Sequence, residues 1–128
     1  MEVGVKNKKE IIVSEEMTAK MIGSGLLPVF GTPRMIALME ETAASSVEEY
    51  LEKGQGTVGT KLEIEHSSAT PIGMKVTCES ELIEIDRKRL VFRVKAFDEV
   101  GPIGQGIHER FIIDNEKFLN KCNSKLVK

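Results

Sequence analysis

Two hydrophobic periods divide the chain. From Thr32 onward, apolar and small residues recur at three- and four-residue spacing, with Met35, Leu38, Met39, Thr42, Ala43, Ser46, Val47 and Tyr50 on one stripe and Arg34, Glu41 and Glu48 opposite. The stripe predicts one long amphipathic helix with Thr32 as N-cap and Pro33 at its first helical position, running to about Glu52 and stopping near Gly54, a residue suited to a left-handed C-cap. After Gly56 the period falls to two. Val58, Thr60, Leu62, Ile64 and His66 share one face of a half-buried strand, and Lys61, Glu63 and Glu65 share the other.

Thr70-Pro71-Ile72-Gly73 reads as a turn. Strands follow at about Met74 to Ile85, Leu90 to Asp98 and Pro102 to Ile113, parted by turn signals at Asp86-Arg87-Lys88-Arg89 and Asp98-Glu99-Val100-Gly101. Hairpin connections make them antiparallel. Gly104 and Gly106 share a face of the last strand, where another backbone or a ligand can come close. Ahead of the long helix, Glu10 to Val13 reads as a short strand and Ser14 as the N-cap of a brief helix to Ala19, broken by Gly23-Ser24-Gly25. That stretch is a candidate lid or a plain connecting loop. Lys117 to Lys128 fits either a short helix or a frayed tail. One long helix followed by four or more antiparallel strands implies a single α+β domain over residues 1–128, its sheet wrapped around the helix.

Composition narrows the partners. With 41% hydrophobic and 30% charged residues the chain has the make-up of a soluble globular protein, and no apolar run approaches the ~20 residues of a membrane span. The lysines near the N-terminus precede no apolar segment, so no secretory signal is read and a cytoplasmic location is expected. A net charge of -2 with interleaved signs, and six aromatics in all, leave no footprint for nucleic acid. Cys78 and Cys122 form no CxxC pattern and His66 and His108 lack a neighbour at ligand spacing, so neither a disulfide nor a metal is expected.

Polar groups inside these apolar elements are candidates for chemistry. Thr32, beyond its capping role, sits at a helix start where free amide donors suit a developing oxyanion. Glu40 falls beside Ile36, Ala43 and Val47 at the edge of the buried face, placed for acid–base work or direct attack, whereas Glu41 points to solvent. His66 continues the inward parity of Leu62 and Ile64 at a strand end, either as a core histidine or as a group orienting a hydroxyl, carboxylate or water. Arg110 and His108 share the parity of Gly104 and Gly106. Arg110 then either borders a cleft or forms a surface ion pair with Glu109 or Asp114.

Several segments together carry a family resemblance: Val29-Phe30-Gly31-Thr32-Pro33, Met39-Glu40, Thr57-Val58-Gly59-Thr60, His66 through Gly73, Arg87 through Phe92, Gly106 through Arg110, and Phe118. In this order the chain resembles the fluoroacetyl-CoA thioesterase-like branch of the hotdog-fold acyl-CoA thioesterases. The resemblance implies a hotdog fold, hydrolysis of a small acyl-CoA, and a homodimer whose sheets join at their edges with the site between them. It also implies catalytic roles for Thr32, Glu40 and His66, a backbone amide of Gly59 that holds the thioester carbonyl or the water, and a pocket role for Arg110. No cofactor is implied beyond the coenzyme A of the substrate. Gly23, Ser24, Gly25, Leu26 and Leu27 stand where enzymes selective for the fluorinated substrate have bulky aromatic lid residues. The competing readings are a non-catalytic hotdog module that binds acyl-CoA or a related ligand, and, more weakly, a hotdog dehydratase or hydratase.

Overall fold

In the computed structural model, which describes residues 1–126, a sixteen-residue helix lies across one face of a five-stranded antiparallel sheet. Residues 127 and 128, the end of the expected tail segment, lie outside the described residues. In chain order the elements are β1 (Lys6–Ile12), a 3-10 turn (Glu15–Met17), α1 (Ala19–Ile22), α2 (Thr32–Val47), a second 3-10 turn (Glu48–Tyr50), β2 (Gln55–His66), β3 (Lys75–Asp86), β4 (Arg89–Phe97), β5 (Pro102–Asp114), α3 (Asn115–Asn123) and a last 3-10 turn (Ser124–Leu126).

The predicted stripe is the buried face of α2. Met35, Leu38, Met39, Thr42, Ala43, Ser46 and Val47 all pack into the core against Val76, Cys78, Leu82, Leu90, Phe92, Val94, Ala96 and Ile103. Each large side chain buried there contributes about 1.5–3 kcal/mol. The polar members of the stripe are buried cheaply because each hydroxyl bonds back into its own helix: Thr42 Oγ1 donates to the Leu38 carbonyl at 2.7 Å and Ser46 Oγ to that of Ala43 at 2.6 Å. Burial also pushes the Cys78 thiol up to about 11, as expected of an inert core cysteine.

The helix ends differ from the sequence reading. Gly31, in extended conformation, is the N-cap, and Thr32 is already helical with Pro33 beside it. At the other end Glu48–Tyr50 tightens into 3-10 geometry, whose larger rotation per residue swings Tyr50 off the stripe and leaves it 45% exposed. Gly54, at φ 86°, serves the turn into β2 instead of the helix end. Upstream, Ser14 stands at the N-cap of the Glu15–Met17 turn without a side-chain capping bond, the predicted helix splits after Met17, and Thr18 caps α1 by accepting from the Met21 amide, with Gly23 closing it in the left-handed region. At the C-terminus Asp114 accepts from the Lys117 amide at 3.1 Å and caps α3.

Strand order is β1-β3-β4-β5-β2. The β3–β4 and β4–β5 hairpins form as predicted, with Arg87 at φ 58° in the first turn and Asp98 accepting from the Val100 and Gly101 amides in the second. The β2–β3 connection is not a hairpin. Strand β2 pairs with β5 at the sheet edge, so residues 67–74 cross the end of the sheet, tied down by the Ser67 amide to the Ile103 carbonyl and by the Phe30 amide to the Thr70 carbonyl.

An irregularity in β2 decides which of its side chains face the helix. Gly59 pairs with Arg110 and Lys61 with Glu109, which leaves Thr60 as the extra residue of a bulge. Directly paired antiparallel residues point to the same face, so Gly59, Leu62, Ile64 and His66 share the helix-facing side with Arg110, His108, Gly106 and Gly104. The bulge therefore removes Val58 and Thr60 from the face they were predicted to share with His66, and puts Thr57 and Gly59 there instead.

Candidate active site

The helix-facing side of β2 and β5, covered by α2, brings together Thr32, Glu40, Gly59, His66 and Arg110 in two groups. The first is at the start of α2. Because Gly31 performs the capping, the Thr32 hydroxyl is free of the backbone and meets His66 Nδ1 at 2.7 Å. His66 is half-buried at the end of β2, opposite Gly104, whose missing side chain makes room for the Met35 thioether. Burial lowers the proton affinity of the His66 ring, partly offset by the Ser68 backbone, so the neutral form is favoured. His66 Nε2 is buried with no well-formed hydrogen bond. A neutral ring with one nitrogen on a hydroxyl and the other unengaged is suited to take a proton from Thr32 or from a water.

The second group sits eight residues further along the helix, about 12 Å by the rise of 1.5 Å per residue. Here Glu40 approaches Arg110, its Oε2 being 3.6 Å from Nη1. Gly59 lies beneath the pair. A side-chain carbon at Gly59 would stand 2.8 Å from Glu40 Oε2, 3.1 Å from His108 and 3.3 Å from Arg110, so only glycine leaves this space open. Arg110 is almost fully buried and points inward, away from Asp114, while Glu109 turns outward to Arg89 at 2.8 Å. The surface ion-pair alternative for Arg110 is thereby corrected. Its Nε donates to Thr57 Oγ1 at 2.8 Å, Nη2 to the Thr57 carbonyl at 2.9 Å, and Nη1 reaches His108 Nε2 at 3.1 Å. Glu41, one step around the helix, is exposed and paired with Lys9 at 3.0 Å.

Thr57 and the holding role of His108 escaped the sequence reading. The signal for His108 was present in its shared parity with Arg110; the signal for Thr57 was hidden by the bulge at Thr60, which reverses parity between them. A groove of about 500 Å³ between Ala44 of α2, Glu48 of the turn that follows it, and Gly56 and Thr57 of β2 adjoins this second group. A larger one of about 600 Å³ lies on the outer sheet face among Lys6, Lys8, Glu81 and Arg93, and no candidate residue lines it. The stretch read as either a lid or a plain loop, Gly23 to Leu27, folds back on α1 through the Lys20 amide to the Leu27 carbonyl at 3.1 Å, and Leu26 is left 90% exposed. Among the described residues no cluster of His, Cys, Asp and Glu has metal-binding geometry, and no helix is long and apolar enough to cross a membrane.

Comparison with known proteins shows the family. The sequence profile of the family described as fluoroacetyl-CoA-specific thioesterase matches residues 13–116. The chain is 43% identical over 97 residues to the fluoroacetyl-CoA thioesterase of Streptantibioticus cattleyicolor, covering 76% of this chain and 70% of that protein. A solved structure of a variant of the fluoroacetyl-CoA thioesterase FlK with fluoroacetate superposes with a TM-score of 0.93 at 35% identity, covering 98% of both chains. A thioesterase superfamily member from Thermus thermophilus matches at a TM-score of 0.88 and 26% identity, over 98% of this chain and 95% of that one.

Proposed function

This chain belongs to the fluoroacetyl-CoA-specific thioesterase family and is a thioester hydrolase of hotdog fold, and from that premise we propose how its own residues hydrolyse a small acyl-CoA. Glu40 attacks the thioester carbonyl or activates the water that does; either way the carbonyl carbon gains an oxygen and the sulfur of coenzyme A leaves as the thiol. Thr32 and the Gly59 amide hold the developing oxyanion, and neutral His66 moves the proton. The observation that carries this reading is the Glu40 carboxylate held beside Arg110 over the open space at Gly59. Water is the co-substrate and coenzyme A enters only with the substrate, so no further cofactor is needed. The reading includes a cytoplasmic location.

The separation of the two groups supports a homodimer. Strand β2 is a sheet edge of twelve residues, and an unpaired edge of that length is best covered by its own copy across a two-fold axis. Antiparallel pairing of identical strands sets the start of one against the end of the other. The Glu40–Gly59 group of one protomer then lies near Thr32 and His66 of the partner subunit, and a complete site spans both.

The acyl range follows from the mouth. Gly23 and Gly25 impose little shape there, and aliphatic Leu26 and Leu27 replace aromatic bulk. A thiol-release assay over acetyl-, fluoroacetyl-, branched and aryl acyl-CoAs tests the whole reading. Turnover of several short substrates is expected, with fluoroacetyl-CoA within about tenfold of acetyl-CoA. Saturable binding without thiol release on any of them would make the protein a binding module, and a large preference for fluoroacetyl-CoA would overturn the reading of the mouth.

A further inference from the structure

His108 is completely buried on β5, next to Arg110 and to the notch at Gly59. Its Nδ1 is 2.9 Å from the Lys61 carbonyl, its Nε2 is 3.1 Å from Arg110 Nη1, and its ring is tilted against Phe92. A carbonyl only accepts hydrogen bonds and a guanidinium only donates them. Both contacts are satisfied by one species alone: the neutral imidazole with its proton on Nδ1, donating to Lys61 and accepting from Arg110. We propose that His108 is the positioning residue for Arg110, taking one N–H of Nη1 so that the other N–H of Nη1 is presented to Glu40.

Three observations converge on this role. The Thr60 bulge is what brings the Lys61 carbonyl to Nδ1, so the irregularity in β2 selects the tautomer. Thr57 holds Nε and Nη2 of the same planar guanidinium, and His108 supplies the third hold, at Nη1, the nitrogen nearest Glu40. The ring also fills the space beside Gly59, where a side-chain carbon would stand 3.1 Å from it, so His108 and Glu40 close in on one notch from two sides. Desolvation favours the uncharged ring and outweighs the opposing pull of the Lys61 carbonyl; Arg110 adds to that preference, and Glu40 and Glu109 oppose it less than either.

The inference rests on the proposed role of Glu40 only for its kinetic consequence, and two substitutions separate the two hydrogen bonds. His108→Gln places an acceptor where Nε2 was and loses the donor to Lys61. His108→Asn keeps a donor near Lys61 and loses the acceptor toward Arg110. With acetyl-CoA, His108→Gln is expected within about threefold of wild-type kcat, and His108→Asn about tenfold or more below it, KM moving less than about twofold in both. Equal losses, or the reverse order, would overturn the proposal. Glu40→Gln measured alongside keeps the two readings apart: if it is as active as wild type, the role of Glu40 fails whatever His108 does. Nitrogen-15 NMR of the wild-type imidazole adds a test that needs no variant. A protonated Nδ1 with a bare Nε2 from about pH 6 to 8 is expected, and protonation at Nε2 would overturn the proposal.

Discussion

The start and the middle of α2 carry the two halves of the proposed site and hold them in opposite ways. At the start, Thr32 and His66 are joined by one hydrogen bond, Thr32 is exposed, and one nitrogen of His66 has no well-formed bond. In the middle, Arg110 uses Nε, Nη1 and Nη2, all on fixed partners, and faces Glu40 from a buried position. A group held by several bonds keeps its direction without help from a ligand, whereas a group held by one is free to turn toward whatever arrives. The fold thus fixes the guanidinium that faces Glu40, while the hydroxyl and the imidazole at the helix start keep freedom to turn.

The contrast between the halves breaks first at Glu40. Glu40→Gln should lower kcat by at least about a hundredfold with the fold intact, while exposed Glu41→Gln, one residue on and paired only with half-exposed Lys9, should change it less than about threefold. Steady-state kinetics and thermal melts of both variants check this. A larger effect at Glu41 would mean that the carboxylate beside Arg110 is not the working one.

Next come the anchors of each half. Thr32→Ala should reduce kcat about tenfold or more while leaving stability within about 0.5 kcal/mol, because Gly31 and not Thr32 caps the helix. Arg110→Met should reduce both, costing about 1–3 kcal/mol through the unpaired Thr57 carbonyl and its neighbours. Denaturant titrations separate the two cases, and a Thr32 variant destabilised by about 1 kcal/mol would restore the capping role to that residue.

The smallest effect is on pH. Burial is the leading cause that lowers the proton affinity of both His66 and His108, so below the ordinary histidine value of 6.5 the unfolded chain binds protons that the folded one refuses. Stability from both rings is complete above about pH 6.5 and falls as the pH drops below it. Melts from pH 8 to 5 should follow that direction, and His108→Gln, which removes one of the two rings, the one facing Arg110, Glu40 and Glu109, should flatten the acid side. Greater stability at pH 5.5 than at pH 7.5 would contradict the assignment of neutral rings.

Much of this was legible in the residues because helical and strand periods report burial directly. Seven of the eight stripe residues are buried in α2, and the inward parity of His66 brings it to Thr32. What was not legible depends on partners distant in sequence. The bulge at Thr60 exists only in the pairing with β5, so the parity that hides Thr57 and Gly59 could not be corrected from β2 alone. Capping by Gly31 in place of Thr32 likewise reflects the bridge between Thr18 and Phe30 and the Gly31 amide bonded to the Met17 carbonyl, which fix the chain entering the helix. The β2–β3 crossover resembles a turn locally, and only the preference of β5 for β2 sends it across the sheet.

The claim that the two halves meet across a dimer is tested most directly by mixing inactive subunits. Glu40→Gln and His66→Ala chains, each purified inactive, are unfolded together and refolded as a random mixture. If Glu40 of one protomer works with Thr32 and His66 of the partner subunit, about half of the dimers are mixed and one of their two sites is intact. The mixture should then recover about a quarter of the wild-type kcat per site. Recovery no greater than that of either variant alone would place both halves of the site within one chain and contradict the account.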